Sequence, residues 1–405
     1  MGKRRAAGIV LVCSLIVAFT PIGVSEEAQV AEALGLRDVF EEGFLVRDSN
    51  GDGVVDAISA RIVLPTDPTP AEVAAAANIA ARLGFESSGY TPGLALIDTD
   101  FDPQADPSPL VLIGADNRWV RRLIDIGAVD FASLGPGQGS ITVVESPFGG
   151  GDALVVVGAD AAGIVAAANG ASGRLPFIWQ LRGKRIGDVQ ADLVDYLSEA
   201  GFDVQEIVAT AAVYESGKEE MSRLGARVRL MPAAREDAVA ALEQLADAHV
   251  VGKAIFTDRL ADRLNYPYLA NLEVDIVDAS RVPIPRFGPP YRARFPENPW
   301  IARTKLLDLS NLYSIDGLFG DSRGNDMIAD ESETVIIIGS AGTVPGVVEL
   351  AARIGMETAG LSLPLAFPEA DIEDPTALPN PILVGAERLI GLVLPGGGES
   401  PGPGQ

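Results

Sequence analysis

An internal duplication constrains the fold of this chain more than any other feature. Ala80-Ala81-Arg82-Leu83-Gly84-Phe85-Glu86 returns as Ala351-Ala352-Arg353-Ile354-Gly355-Met356-Glu357. Leu112-Ile113-Gly114-Ala115 returns as Leu383-Val384-Gly385-Ala386 at the same offset, with no gap needed between. Upstream, Gly43-Phe44-Leu45-Val46-Arg47-Asp48-Ser49 is echoed by Gly317-Leu318-Phe319-Gly320-Asp321-Ser322, with small length changes. Downstream, Gly135-Pro136-Gly137-Gln138 lines up with Gly402-Pro403-Gly404-Gln405. The first copy continues through two more strand-like runs and a helix. The second copy therefore reads as incomplete, and the chain as the front section of a longer protein.

Composition narrows the class. At 405 residues the chain is too long for one simple core, so two or three domains are expected. Its charged fraction of 21% and hydrophobic fraction of 47% are globular values. The formal net charge of -25 argues against nucleic acid and anionic membrane as partners, since both are polyanions. Lys3, Arg4 and Arg5 precede an apolar stretch at 8–20, and small residues at 23–25 offer a cleavage site, which is signal-peptide grammar. The apolar stretch is too short for a normal bilayer span, and no later segment reads as transmembrane. The single cysteine, Cys13, lies inside this stretch, so the mature chain has neither a disulfide framework nor a cysteine zinc site. A secreted, periplasmic or extracellular location follows.

Pattern reading gives an α/β fold: duplicated mixed-sheet α/β modules, the second truncated, flanking a small α+β domain. Residues 1–25 are the signal peptide and 26–182 the first module. That module opens with a hairpin of 43–46 and 57–64. It continues with an alanine-rich helix from Pro70 to Gly84, a buried strand at 110–113 and a helix at 116–125. Strands at 140–144 and 153–157 and a helix at 161–172 complete it. Residues 183–277 form the α+β domain. It has an amphipathic helix at 188–199, strands at 204–213, 226–230 and 272–277, and a helix at 235–249. Residues 278–305 are a Pro/Arg-rich linker in which Tyr291, Phe295 and Trp300 either stack on a ligand or pin the linker to its neighbour. The truncated second module occupies 306–405.

The sharpest chemical motif is Asp48-Ser49-Asn50-Gly51-Asp52-Gly53-Val54-Val55-Asp56. Oxygen side chains at Asp48, Asn50, Asp52 and Asp56, with Gly53 at the bend and the Val54 carbonyl between, match an EF-hand-like calcium loop. Ser59 stands where that loop usually has a bidentate glutamate, and the flanks read as strands, so the site would be a calcium-clipped hairpin. A plain Asp/Asn/Gly turn explains the same residues equally well. In the second copy Arg323 replaces an oxygen ligand. Gly158-Ala159-Asp160-Ala161-Ala162-Gly163 follows a strand and opens a helix, as a phosphate loop does, but Ile164-Val165 replace the required Lys-Ser/Thr. It reads as a tight turn with Asp160 near the helix N-terminus. His249, the only histidine, is placed at a helix end, where a cationic side chain suits the dipole. Asp98, Asp100 and Asp102 read as solvated carboxylates rather than an acid/base pair.

The segment Asn311-Leu312-Tyr313-Ser314-Ile315-Asp316-Gly317-Leu318-Phe319-Gly320-Asp321-Ser322 resembles the N-terminal region of large secreted bacterial proteins. The 48–64 hairpin and the Ala-Ala-Arg-x-Gly-x-Glu helix end share that resemblance. In some of these proteins similar modules precede a zinc carboxypeptidase-like domain of the M14 type. Residues 154–168 are similar to accessory α/β domains of secreted polysaccharide-acting proteins, including the cellulose synthase periplasmic subunit. The first resemblance implies an active site beyond Gln405, because this chain has no His-x-x-Glu pair and one histidine cannot supply two zinc ligands. No zinc is therefore expected here.

The expectation is a secreted non-catalytic module array, a scaffold or binding region and not an enzyme in itself. The alternative is the accessory region of a secreted hydrolase. The expected partners are the chain's own downstream domain and an extracellular protein or polysaccharide.

Overall fold

The structure is a computed structural model. It describes residues 34–89, 92–177, 185–199, 202–218, 221–230, 312–315, 317–321, 329, 331–339, 344–378 and 380–389. It also describes the backbone of 249–251, 254–256 and 269–276. The signal segment, the linker aromatics, Arg323 and, apart from His249, the helix expected at 235–249 lie outside the described residues.

The α/β reading is correct. Strands β1 (Val46–Arg47) and β2 (Ala57–Ile58) form an antiparallel hairpin. Strand β3 (Arg61–Leu64) leads to helix α1 (Pro70–Glu86), then β4 (Ala95–Ile97), β5 (Leu110–Ile113) and α2 (Arg118–Asp125). Next come β6 (Gln138–Val144), β7 (Ala153–Gly158), α3 (Ala161–Arg174), α4 (Ile186–Glu199), β8 (Val204–Glu215) and β9 (Met221–Leu230). Strands β10 (His249–Val251), β11 (Ala254–Phe256) and β12 (Leu269–Ile276) complete one ten-stranded mixed sheet, ordered β10-β11-β12-β9-β8-β6-β7-β5-β3-β4. The sheet runs without a break across the boundary expected at 182/183, because β6 pairs antiparallel with β8.

The hairpin expectation needs correction. Residues 57–64 are two strands in two sheets. The Ser59 N–H donates to the Leu45 carbonyl at 3.0 Å, whereas the Arg61 N–H donates to the Pro109 carbonyl at 2.9 Å. Ser59 Oγ ties the crossing to the Phe44 carbonyl at 2.8 Å. Unbroken apolar alternation hides such a crossing. His249 is corrected too: it opens strand β10 rather than closing a helix.

Helix α1 starts where its sequence dictates. Pro70 occupies the first turn, the Glu72 carboxylate accepts from the Thr69 N–H at 2.7 Å, and Thr69 Oγ1 accepts from the Glu72 N–H at 3.3 Å. Its alanines keep the helix slim enough to be buried from Ala71 to Gly84. The strands beneath it alternate between two cores, as a period of two requires. Ile62, Leu64, Val111, Ile113, Leu154 and Val156 face the core around α1. Val63, Leu110, Leu112, Val155 and Val157 face the core of Phe101, Val120 and Leu123 on the other side. Burial on both faces is why β5 and β7 read as continuous apolar runs.

The elements between residues 319 and 384 run in the same order as those between 46 and 113. Strands β13 (Phe319–Gly320) and β14 (Glu331–Ser332) form an antiparallel hairpin, followed by β15 (Val335–Ile338), α5 (Val344–Met356), β16 (Ala366–Pro368) and β17 (Pro381–Val384). Strand β15 lies parallel between β16 and β17, as β3 lies parallel between β4 and β5. Ile336 pairs with Ala366 and Ile382, and Ile62 with Ala95 and Val111. Gly114 and Gly385 both end their strands at positive φ, 86° and 60°.

Candidate functional site

The 48–56 loop is held by its own backbone. Asp48 Oδ1 accepts the N–H of Gly51 at 2.7 Å and of Asn50 at 3.1 Å, and Oδ2 accepts that of Gly53 at 2.6 Å. Asn50 Oδ1 accepts from Asp52 N–H, and Asp52 Oδ1 from Val54 N–H, both at 2.9 Å. Asp56 closes the loop onto Ser49, through the backbone N–H at 2.7 Å and Oγ at 2.9 Å. Gly51 and Gly53 take φ of 76° and 85°, which other residues adopt at a cost. The Gly53 amide, followed by those of Gly51 and Asn50, holds the Asp48 carboxyl below the usual carboxylate range.

In donor type the loop fits a hard cation: three carboxylates, an amide oxygen and the Val54 carbonyl on an exposed bend. In geometry both Asp48 oxygens, Asn50 Oδ1, Asp52 Oδ1 and both Asp56 oxygens already accept from the loop's own N–H and O–H groups. Among the described residues no three His, Cys, Asp or Glu side chains form a metal-holding group.

The strand-to-helix turn at 158–163 is closed to phosphate. Asp160 Oδ1 accepts the Gly163 N–H and Oδ2 the Gly137 N–H, each at 2.8 Å. Those two amides hold its carboxyl low, so a negative charge already occupies the helix N-terminus. Asp98 is not a solvated carboxylate. It is 3% exposed, accepting from Thr66 Oγ1 at 2.7 Å and from the Arg118 N–H at 2.8 Å, and so holds the start of α2. Asp100 and Asp102 are exposed.

The polar residues that matter most to the architecture lie between the modules, and local motif reading missed them. Helices α1 and α5 pack through reciprocal contacts. A Cβ on Gly84 would strike the Ala352 carbonyl, and one on Gly355 would strike the Ala81 carbonyl. Ala81 and Ala352, like Gly84 and Gly355, hold matching places in the two similar sequence segments, so each helix presents the same short motif to the other. Each helix also clips the other module's sheet. Asn78 Oδ1 accepts the Leu365 and Ala366 N–H groups at 2.8 Å, and its Nδ2 donates to the Ala366 carbonyl at 2.9 Å. Its repeat equivalent Glu349 accepts the Gly93 N–H at 2.9 Å and the Ala95 N–H at 3.5 Å.

Arg82, fully buried, binds Glu86 at 2.6 Å, the Ser172 carbonyl at 2.7 Å and the Leu175 carbonyl at 3.2 Å. Its guanidinium lies 4.5 Å over the Phe40 ring. Arg353 repeats part of this, pairing with Glu357 and lying 5.4 Å over Tyr313. The signal was present in the repeat: both copies carry Arg and, four residues on, Glu.

Among the described residues no helix is long and apolar enough to cross a membrane. No protein-family model and no curated protein matches the chain.

Proposed function

We propose that this chain is a secreted non-catalytic module array, a scaffold or binding region, formed by duplication of one α/β unit. One observation carries the reading: the reciprocal contact of α1 and α5, with the clips that go with it. The polar residues beside it, Asn78 and Glu349, are spent on backbone groups of the opposite unit. Such an arrangement fixes two units against each other, which is a scaffold's task. The 48–56 loop would add a weak calcium clip on the first unit, held by Asp48, Asn50, Asp52, Asp56 and the Val54 carbonyl. The test is turnover. The purified chain should release no amino acid from C-terminal peptide substrates, with or without added zinc. Activity that disappears on mutating a residue of this chain would overturn the reading.

A second reading places the chain as the accessory region of a secreted M14-type metallocarboxypeptidase, with the catalytic domain as its downstream partner. The 311–322 segment favours it, since its resemblance to such proteins covers β13 and the Tyr313 that stacks on Arg353. A coding sequence whose continuation lacks His-x-x-Glu and a later histidine would refute it.

A further inference from the structure

The chain contains two Asn–Gly dipeptides, Asn50-Gly51 and Asn169-Gly170, and the fold treats them differently. Asparagine before glycine is open to succinimide formation, because the second residue has no side chain to hinder attack by its backbone nitrogen. Asn50 and Gly51 are both exposed on the loop between β1 and β2. A Cβ at Gly51 would meet nothing within 4 Å, so this peptide has room to turn. The Asp52 N–H donates to Asn50 Oδ1 at 2.9 Å and steadies the negative charge that attack places on that oxygen. Among the described residues nothing binds Asn50 Nδ2, the leaving nitrogen. One contact opposes the reaction: the Gly51 N–H donates to Asp48 Oδ1 at 2.7 Å. A carboxylate there retains the proton and repels the amide anion that would attack.

Asn169 lies inside α3, where its side chain is bound: Oδ1 accepts from Asn78 Nδ2 at 3.0 Å. Ring closure needs the Gly170 nitrogen to swing toward the Asn169 side chain. That takes the backbone out of helical dihedrals and breaks the hydrogen-bond ladder. Gly170 also has no room to move, since a Cβ there would stand 2.4 Å from the buried Tyr214 ring.

We propose that Asn50 is a site of spontaneous covalent modification in the folded chain, whereas Asn169 is spared. The Gly51 nitrogen attacks Asn50 Cγ. A new C–N bond forms, the bond from Cγ to Nδ2 breaks, and ammonia leaves with the proton that Gly51 gives up. Water then opens the cyclic imide at either carbonyl, its oxygen going to carbon and one proton to nitrogen. Opening on one side leaves an aspartate at position 50, a further carboxylate beside Asp48, Asp52 and Asp56. Opening on the other side leaves an isoaspartyl link, whose main chain is longer by one carbon and displaces Gly51 from Asp48. Asp48 is the brake on this chemistry, because its carboxylate holds the attacking nitrogen's proton. The site needs only the loop's own hydrogen bonds, so it stands whether or not the loop takes calcium.

The experiment holds the full chain in mildly alkaline buffer and follows its proteolytic peptides by mass spectrometry. Heavy-oxygen water marks fresh hydrolysis, and enzymatic methylation marks isoaspartyl links. The peptide carrying Asn50 should convert at least about tenfold faster than the one carrying Asn169, whose closure waits for α3 to open. In denaturant the two rates should approach each other. Asp48→Ala should raise the folded-state rate at Asn50 about tenfold, the loss of one charge-assisted hydrogen bond, and Asp48→Asn should fall between. No conversion at Asn50, equal conversion at Asn169 in the folded chain, or a rate at Asn50 indifferent to Asp48 overturns the proposal. So does a gap between the two sites that persists in denaturant, because the difference would then lie in neighbouring sequence rather than in the fold.

Discussion

Arg82 and Arg353 make a paired experiment, because the same side chain sits in the same motif at two burial levels. Each has a glutamate four residues on and an aromatic ring beneath. Arg82 is 0% exposed and its Glu86 partner 13%; Arg353 is 42% exposed and Glu357 29%. Arg82→Met keeps most of the side-chain volume but strips the guanidinium from a largely buried carboxylate and from two buried carbonyls. Removing one partner of a buried ion pair costs about 3–5 kcal/mol. Arg353→Met removes a partly solvated pair, for which about 0–1 kcal/mol is typical. The two variants should therefore differ by about 2–5 kcal/mol in unfolding free energy, in urea titrations of the full chain followed by tryptophan fluorescence. Arg82→Lys, which keeps the charge but loses the two-pronged donor, should fall between. Equal losses for the two methionine variants would refute the argument that α3 cover is what separates the modules.

The reciprocal helix contact predicts that Gly84→Val and Gly355→Val each destabilise by about 1–3 kcal/mol through overpacking. The double variant should lose less than the sum, since both collisions push apart one interface; additive losses in thermal unfolding would show two independent sites. Millimolar calcium should raise the melting temperature of the chain, and Asp52→Ala should abolish the increment; superimposable curves in calcium and chelator would leave the loop a turn. Asp160 makes the pH case: its folded carboxyl is held below the ordinary 3.8, so its contribution is present above that value and lost as pH falls through the lowered one. Asp160→Asn should remove that step from an acid-unfolding profile, and an unchanged profile would show that the Gly137 and Gly163 amides do not depend on its charge.

Much of the first module was legible because its signals are local. The Thr69-Pro70-x-Glu72 start of α1 and the apolar runs of β5 and β7 write their structure in neighbouring residues. What stayed hidden depends on distant partners. No local pattern says that Ser59 leaves one sheet for another, because its decisive partners are the Leu45 and Phe44 carbonyls. Asp98 sits in a Pro/Asp-rich stretch that reads as solvated, yet α2 folds over it and supplies the Arg118 amide. The continuation of β6 into β8 is equally silent, since two alternating strands do not declare their sheet. Of the candidate site, the sequence named the loop oxygens but not their competitors: the amides of Asn50, Gly51 and Gly53 become visible as partners only once the turn is folded.

The departures between the modules carry more information than their likeness. Position 78 is an asparagine where α3 covers the helix, and its equivalent, 349, is a glutamate where nothing described does. An amide can donate to Asn169 and to the Ala366 carbonyl while accepting from Leu365 and Ala366, so all of its capacity is used in a dry contact. A carboxylate only accepts, and burial without donors would penalise its charge. Glu349 is tolerated because it keeps partial solvent access beside the Gly93 and Ala95 amides.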